Sequence, residues 1–389
     1  MNFLALRMLM GDRAKYIGIV FGITFAAMLI TQQVSIFCGL MSRTFGFISD
    51  TGYPDVWVMD PKVQFIDDIK PLQDTQLLRV RGVEGVEWAV PLYKGMIKAR
   101  LSDGTFQNCN VIGLDDASLV GGPPQMLEGS LEDLRRADGV IVDEVGASSR
   151  LAYVERDEKG AVISTRNLRV GDLLELNDRR AVVVGICSVQ RTFQSQPVIY
   201  TTYSRATKFA PRERKLLSFI CVKAKAGVDH AALADRIETD TGLAALSAQE
   251  FSWKTMLYFM KYTGIPINFG IAVALGFIVG TAIAGQTFYQ FTSDNLRQFG
   301  ALKAMGATNL RLLGMIFLQA LVVGVIGYGL GVGVASTFAV LAKKSELAFL
   351  LLWQTLAVTG GAITLICLLA SLLSIWKVMR LEPAIVFKG

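Results

Sequence analysis

Four stretches of this chain are long and apolar enough to cross a membrane. They run from Ile17 to Met41, Ile265 to Phe291, Leu312 to Leu341 and Leu347 to Trp376, and none holds an Asp, Glu, Lys or Arg in its interior. Each exceeds the roughly 20 residues that traverse about 30 Å of hydrocarbon as a helix. They also explain a hydrophobic share of 52% and a mean hydropathy of +0.43, too high for an ordinary soluble domain. The expected fold is an α-helical membrane domain of four transmembrane helices in a 1+3 arrangement. A large α+β extracytoplasmic domain is expected between the first and second spans, over residues 42–262, leaving 1–41 and 263–389 as the membrane parts.

Charge orients the spans. The segments expected on the inner side carry Arg7, Arg13, Lys15, Arg297, Lys303, Arg311, Lys377, Arg380 and Lys388 against Asp12, Asp294 and Glu382, a surplus equal to the +6 of the whole chain. Basic residues near span ends stay on the cytoplasmic side, so both termini are expected there. The basic balance is a topology signal, and no nucleic-acid partner is expected. The first apolar run outlasts a signal-peptide core of about 7–15 residues and lacks a small-x-small cleavage site. Phe37 stands where a lipoprotein site at Cys38 would need a small residue. Residues Met1 to Met10, with Phe3, Leu4, Leu6 and Leu9 beside Arg7, read as an interfacial helix before the first span.

Within the inserted domain, Val56 to Met59 reads as a strand, Leu72 to Arg81 as a helix, and Val86 to Leu101 as a strand broken at Pro91. Ser102-Asp103-Gly104-Thr105 then turns the chain into Phe106 to Leu114. A similar strand and helix recur at Leu217 to Val222 and His230 to Thr241, followed by a short run toward Phe251. One mixed part is therefore expected from about 50–118 and 201–255. Residues 119–200 form a β-rich insertion, with strands at Gly139 to Val142, Leu173 to Leu176, Ala181 to Ile186 and Pro197 to Tyr200. Glu158-Lys159-Gly160 and Asn177-Asp178 mark turns. Cys109, Cys187 and Cys221 lie in this domain; one disulfide or three buried free thiols are both open, the thiols favoured because no Cys-x-x-Cys spacing occurs.

Several chemistries are excluded. There is no Gly-x4-Gly-Lys-Ser/Thr loop to cradle ATP and no Gly-x-Ser-x-Gly elbow. His230, the only histidine, cannot build a His-based metal set and reads as a solvated residue. The doublets Asp67-Asp68, Asp115-Asp116 and Asp143-Glu144 read as solvated loop charges, with a cation site as the lesser reading. The spans carry no ionisable residue of the kind that ion-coupled transporters keep at mid-membrane. Catalytic, cofactor-binding and metal-binding residues are thus all expected to be none.

Small residues recur one helical turn apart in the first span, at Gly18, Gly22 and Ala26, and in the second, at Gly276, Gly280 and Ala284. Such faces let helix backbones approach closely, for internal packing or a dimer seam. The third span repeats the pattern at Gly327/Gly331 and Gly329/Gly333. Between the second and third spans lies a basic, helix-prone loop. It is expected to begin at Ser293 or Asp294, with Leu296, Phe299, Leu302 and Met305 along one side and Arg297 and Lys303 left for water, headgroups or a partner.

That loop, Arg297-Gln298-Phe299-Gly300-Ala301-Leu302-Lys303-Ala304-Met305-Gly306-Ala307, resembles the signature of the FtsX-like, MacB-type permeases of ABC transporters. In those, an Arg, an acidic residue and then Gly, Leu, Lys or Arg, Ala and Gly-Ala recur before the third span. Gln298 departs from the usual acid and removes a charge. Leu381-Glu382-Pro383-Ala384-Ile385-Val386-Phe387-Lys388-Gly389 resembles the family's ending, and the one-span, large-domain, three-span order is similar to its stand-alone DevC-like form without a fused ATPase. The resemblance implies a periplasmic domain with a ferredoxin-like part and an inserted β-rich part. It implies a permease subunit in the bacterial inner membrane whose Arg297, Gln298, Gly300, Leu302, Lys303, Gly306 and Ala307 couple to a separate ATPase subunit, present in two copies and holding ATP and Mg. A second copy of the permease, a periplasmic adaptor and an outer-membrane channel follow as partners. The function implied is ATP-driven export or extraction of a substrate; the alternative is a mechanotransmission complex controlling a cell-wall hydrolase.

Overall fold

A computed structural model describes residues 2–156, 162–211, 217–342 and 347–379. The turn read at Glu158-Lys159-Gly160 and the ending 381–389 lie outside them. The chain forms two compact units, one of Met1–Leu40 with Gly264–Gly389 and one of Met41–Thr263.

The chain opens with helices α1 (Asn2–Gly11) and α2 (Arg13–Asp50). The inserted unit follows with β1 (Val56–Met59), α3 (Asp74–Arg81), β2 (Val86–Arg100), β3 (Phe106–Leu114), β4 (Gln125–Glu128), β5 (Gly139–Asp143) and α4 (Glu144–Ser148). It continues through β6 (Tyr153–Arg156), β7 (Val162–Arg166), β8 (Leu173–Leu176), β9 (Arg179–Ser188), β10 (Val198–Thr202) and α5 (Tyr203–Phe209). It ends with β11 (Phe219–Ala224), α6 (His230–Thr241), β12 (Ala244–Ser247) and α7 (Ala248–Tyr262). Helices α8 (Ile265–Asp294), α9 (Leu296–Ala304), α10 (Asn309–Ala342) and α11 (Trp353–Met379) are the last of the described elements. Among the described residues, four helices are long and apolar enough to span a membrane: Arg13–Asp50, Ile265–Asp294, Asn309–Leu341 and Trp353–Leu372.

Strand β2 organises the inserted unit. Its first half, Val86 to Leu92, pairs with β11, which pairs in turn with β1 and then β12. Its second half, Tyr93 to Arg100, pairs with β3, and Ala99 and Arg100 also pair with β8. The links β3–β10, β10–β5, β5–β9 and β9–β8 then return to β2, closing a ring of strands. Alternate residues along these strands, such as Ile97 and Ala99, Cys109 and Val111, and Val140 and Val142, share one buried core. Helices α3 and α6 supply Val80, Leu233 and Ile237 to a second core beneath β1 and β11. A third gathers around Trp57, whose ring lies 5.7 Å from Phe219 and 5.8 Å from Phe251.

Four details differ from the sequence reading. Pro91 does not break β2: β3 begins to pair only at Tyr93, so at Pro91 the strand has a neighbour on one side, an edge-like position where a missing N–H is tolerated. The run toward Phe251 divides: Ala244–Ser247 is strand β12, and Phe251 itself lies in α7, which is capped by the reciprocal Ser247–Glu250 box. Asp143 is no solvated loop charge. It is 6% exposed and accepts the N–H groups of Gly146 and Val198, both at 2.7 Å, while burial pushes its carboxyl up from the usual range. The fourth span becomes helical only at Trp353; before it, the Leu350 N–H donates to the Ser35 carbonyl at 3.0 Å, so this stretch satisfies backbone on α2 instead of coiling.

The turn at Asn177-Asp178 has both residues at positive φ, 48° and 61°, the geometry of a tight hairpin between β8 and β9. Cys109, Cys187 and Cys221 are buried free thiols. Burial, with the charge of Asp143 nearby, pushes the Cys109 thiol up to about 12. It therefore holds its proton in the folded state at pH values where an unfolded chain near 9.0 would release it, and its contribution to stability falls as pH rises from about 9 toward 12. Maleimide at pH 7 should leave all three thiols unmodified in the native protein and react on denaturation. Rapid native labelling of Cys109 would contradict the burial.

Candidate functional site

The α8–α9 corner is built from its own sequence. Asn295 leaves helical geometry at φ −93°, ψ 11°, and its side-chain amide folds back to the Phe291 carbonyl at 2.8 Å. Ser293 and Asp294, expected to start the next helix, are the last turn of α8, where the Ser293 hydroxyl bonds the Tyr289 carbonyl. Helix α9 starts one residue beyond Asn295. Its other end is a glycine stop: Gly306 sits at φ 90°, the Gly306 N–H donates to Lys303 O at 3.1 Å, and the Ala307 N–H donates to Leu302 O at 2.9 Å. This pair of reverse bonds is the Schellman arrangement, and Leu302 and Ala307, its two apolar positions, both pack against the cluster around Phe299. The Gly-Ala of the loop motif thus ends the helix and turns the chain into α10.

Helix α9 buries one face. Phe299 and Gly300 are buried, and Phe299 clusters with Ala5 of α1, Leu312, Met315 and Ile316 of α10, and Val378 of α11. Leu296 and Leu302 pack at its edge. Met305 does not join them; it is 75% exposed. A spacing of three residues drifts by about 60° per step on a helix with 3.6 residues per turn, so Met305 is carried to the far side from Leu296. Arg297 and Gln298 are exposed, and Lys303 is half-buried.

The sequence did not point to the bracing from α1. Ala5 and Leu9 are buried, and the side-chain amide of buried Gln319 donates to the Ala5 carbonyl at 2.7 Å. Lys15 meets Asp12 at 2.7 Å and also Asp294, joining the α1–α2 and α8–α9 corners. The Lys15 ammonium holds the Asp12 carboxyl below its usual range. A buried amide within an apolar span and an acid at a helix end were the available signals.

The two small-residue faces lie against each other. A Cβ on Gly22 would come within 2.5 Å of Ile283, one on Gly280 within 2.5 Å of Ala26, and Gly276 and Gly18 look onto Leu29 and Thr287. Ala284 is fully buried. The order 18, 22, 26 against 287, 283, 280 is that of an antiparallel pair within one chain. On α10 the glycines divide: Gly327 and Gly331 press on α2 at Ile23, Thr24 and Ala27, whereas Gly329 and Gly333 have nothing within 4 Å. Among the described residues, no group of three or more His, Cys, Asp or Glu is placed to hold a metal ion.

Comparison with known proteins agrees with this architecture. Residues 17–240 match the family model of the MacB-like periplasmic core domain, and residues 270–383 match that of the FtsX-like permease C-terminal region. The chain belongs to the FtsX-like, MacB-type family of ABC transporter permeases. An uncharacterized ABC transporter permease of Mycobacterium tuberculosis is 26% identical over 321 residues, covering 82% of this chain and 80% of that one. One from Methanocaldococcus jannaschii is 26% identical over 191 residues, 46% of this chain and 47% of its own. Two solved structures are similar to the inserted unit. The periplasmic region of MacB from Actinobacillus actinomycetemcomitans covers 51% of this chain and 91% of that one, at 14% identity and a TM-score of 0.35. The extracellular domain of the transporter YknZ from Gram-positive bacteria covers 50% and 99%, at 11% identity and 0.32. The assignment rests on the family models. Membership implies an ATPase partner and a multi-pass membrane protein.

Two outcomes test this geometry. Gly280→Leu should lower the unfolding midpoint in detergent through overpacking of about 1–3 kcal/mol, whereas the same change at open Gly333 should leave it nearly unmoved. Gly306→Val should cost about 1–3 kcal/mol because a branched side chain resists the left-handed conformation. Equal midpoints for Gly280→Leu and Gly333→Leu would refute the packing.

Proposed function

We propose that this chain is the non-catalytic membrane subunit of an ABC transporter, acting as two copies beside two copies of a separate ATPase that holds ATP and Mg. Both termini and α9 face the cytoplasm, and the α+β unit lies outside. ATP-driven closure of the ATPases displaces α9, and the spans pass that motion outward to a domain that exports or extracts a substrate, with a periplasmic adaptor and an outer-membrane channel as further partners. The observation that carries this reading is the two-sided character of α9. Phe299 anchors it in the helical unit while Arg297 and Gln298 stay exposed. A helix fixed on one face and free on the other suits a lever moved by a partner. The Schellman stop at Gly306 supports the same reading, since it fixes where that lever ends.

Purification of the wild-type chain from native membrane should bring down a P-loop ATPase, and the reconstituted pair should show permease-dependent ATP turnover. Arg297→Glu sets an acid against the partner, and like or unpaired charge at an interface costs several kcal/mol. The variant should insert and fold normally yet lose most of the ATPase. Normal yield with normal turnover would reduce α9 to a plain connection. A thiol placed by Gly389→Cys should react with membrane-impermeant maleimide only after the cells are opened; reaction in intact cells would overturn the orientation.

A further inference from the structure

Helix α7 is apolar on two faces. One is spent inside the protein: Phe251 lies 5.8 Å from Trp57, and Phe259 lies 5.4 Å from Phe65 and 4.7 Å from Phe193. These rings fix the rotation of the helix. The other face carries Trp253, Leu257 and Met260 at successive helical turns, and Tyr262 follows at the helix end. Trp253 is 58% exposed and Tyr262 65%. Phe45 of α2 joins Trp253 and Met256 along a groove of about 370 Å³, also lined by Gln249, Glu250 and Ser252.

Charge is graded along α7. Glu250, in the first turn, is held by the N–H and hydroxyl of Ser247. From Phe251 to Tyr262 there is no acid. Lys254 is half-buried beside the charge of Glu238, whereas Lys261 is exposed, its ammonium 5.3 Å above the Tyr262 ring.

Two measures set the depth of this face. Helix α2 is continuous to Asp50, and Phe45 stands four residues past Met41, where the first apolar run ends. At 1.5 Å per residue that is about 6 Å, within the interfacial layer of about 5–8 Å that flanks the hydrocarbon. The shared groove brings Trp253 and Met256 to the level of Phe45. At the other end of α7, Tyr262 precedes the first residue of α8, Ile265, by three residues of chain, which reach at most about 11 Å. Tryptophan, tyrosine and a lysine with a long apolar stem are the residues that this layer favours.

We propose that the exposed face of α7 is a lipid-binding surface, immersed in the headgroup and upper acyl layer with Lys261 at the lipid phosphates. The α+β unit then rests on the bilayer through α7. Only the four spans are required for this seating, which holds for either orientation of the chain.

The test uses the full chain in nanodiscs of phosphatidylcholine and phosphatidylglycerol. Cys38→Ser is the background, since Cys38 is half-buried and the other four thiols are buried. A nitroxide is attached in turn to Leu257→Cys and Met260→Cys. Ile271→Cys on α8 serves as the lipid-facing reference and Thr239→Cys on α6 as the water-facing one. Collision with oxygen should exceed collision with a water-soluble nickel chelate at both α7 positions, as at Ile271 and opposite to Thr239. A balance like that of Thr239 would overturn the seating. Low collision with both reagents and dipolar broadening between labels would overturn it too, and would set the face against a second copy. Native Trp253 gives a second reading should the labels disturb α7. Brominated phospholipid should remove more emission from the wild type than from Trp253→Phe, and equal losses would refute the contact with lipid.

Discussion

A helix in hydrocarbon gains nothing by hiding an apolar side chain, because lipid is as apolar as leucine; what holds such helices together is close backbone approach. In this chain that condition is met around α2. Gly22 and Ala26 admit α8, and Gly327 and Gly331 of α10 press on the turn of α2 between Ile23 and Met28. Thr31 adds a buried hydroxyl bond to Thr359 of α11 at 3.2 Å, and the Ser35 carbonyl takes the Leu350 N–H. The first span is thus in contact with the other three, and its Ile17 and Phe21 remain on the open side. The larger residues of α8, such as Ile267, Ile271 and Leu275, are also exposed, as a lipid-facing surface requires.

The same reasoning explains why α9 has a definite orientation. A short amphipathic helix of about ten residues has little stability of its own. Here Asn295 and Gly306 set its two ends, and Phe299 locks its rotation by entering a cluster drawn from α1, α10 and α11. The exposed side, with Arg297 and Gln298, is a consequence of that lock. Family signatures often mix such structural requirements with contact residues. In this loop Gly306 and Ala307 belong to the first kind, and Arg297 belongs to the second only on the function proposed above.

Much of the architecture was legible in the sequence because it follows from strong periodic signals. The spans, the hairpin at Asp103-Gly104, and the helix after Asp229 all rest on local chemistry. What escaped depends on partners far away in sequence. Nothing local tells that Pro91 has one neighbour, that Ala99 and Leu176 close the strand ring, or that Asp143 caps α4 inside the protein. The break before α9 was placed too early because Ser293 and Asp294 are good caps by type, yet α8 continued through them with the Ser293 hydroxyl bonded back to Tyr289. At the candidate site, the small-residue stripes were visible as stripes, while their pairing with each other, α2 to α8, was not. The contribution of α1 was hidden because Gln319, which holds it, looks in sequence like one of several glutamines scattered through the spans.

Strand pairing in the inserted unit also has a bearing on biosynthesis. β1 is the first strand to leave the ribosome, and both of its neighbours, β11 and β12, are nearly the last; Val56 pairs with Val222 and with Ser247. The first half of β2 waits for β11 in the same way. Loop closure over such separations slows folding and lengthens the time that unpaired strands stay exposed. The ring of strands, whose members lie between Tyr93 and Thr202, can assemble first and on its own pairing. The order of assembly is then inside out. The inserted ring can form while the flanking β1 edge is still open, so a released chain truncated before residue 219 would hold every strand of the ring and an unpaired, aggregation-prone β1.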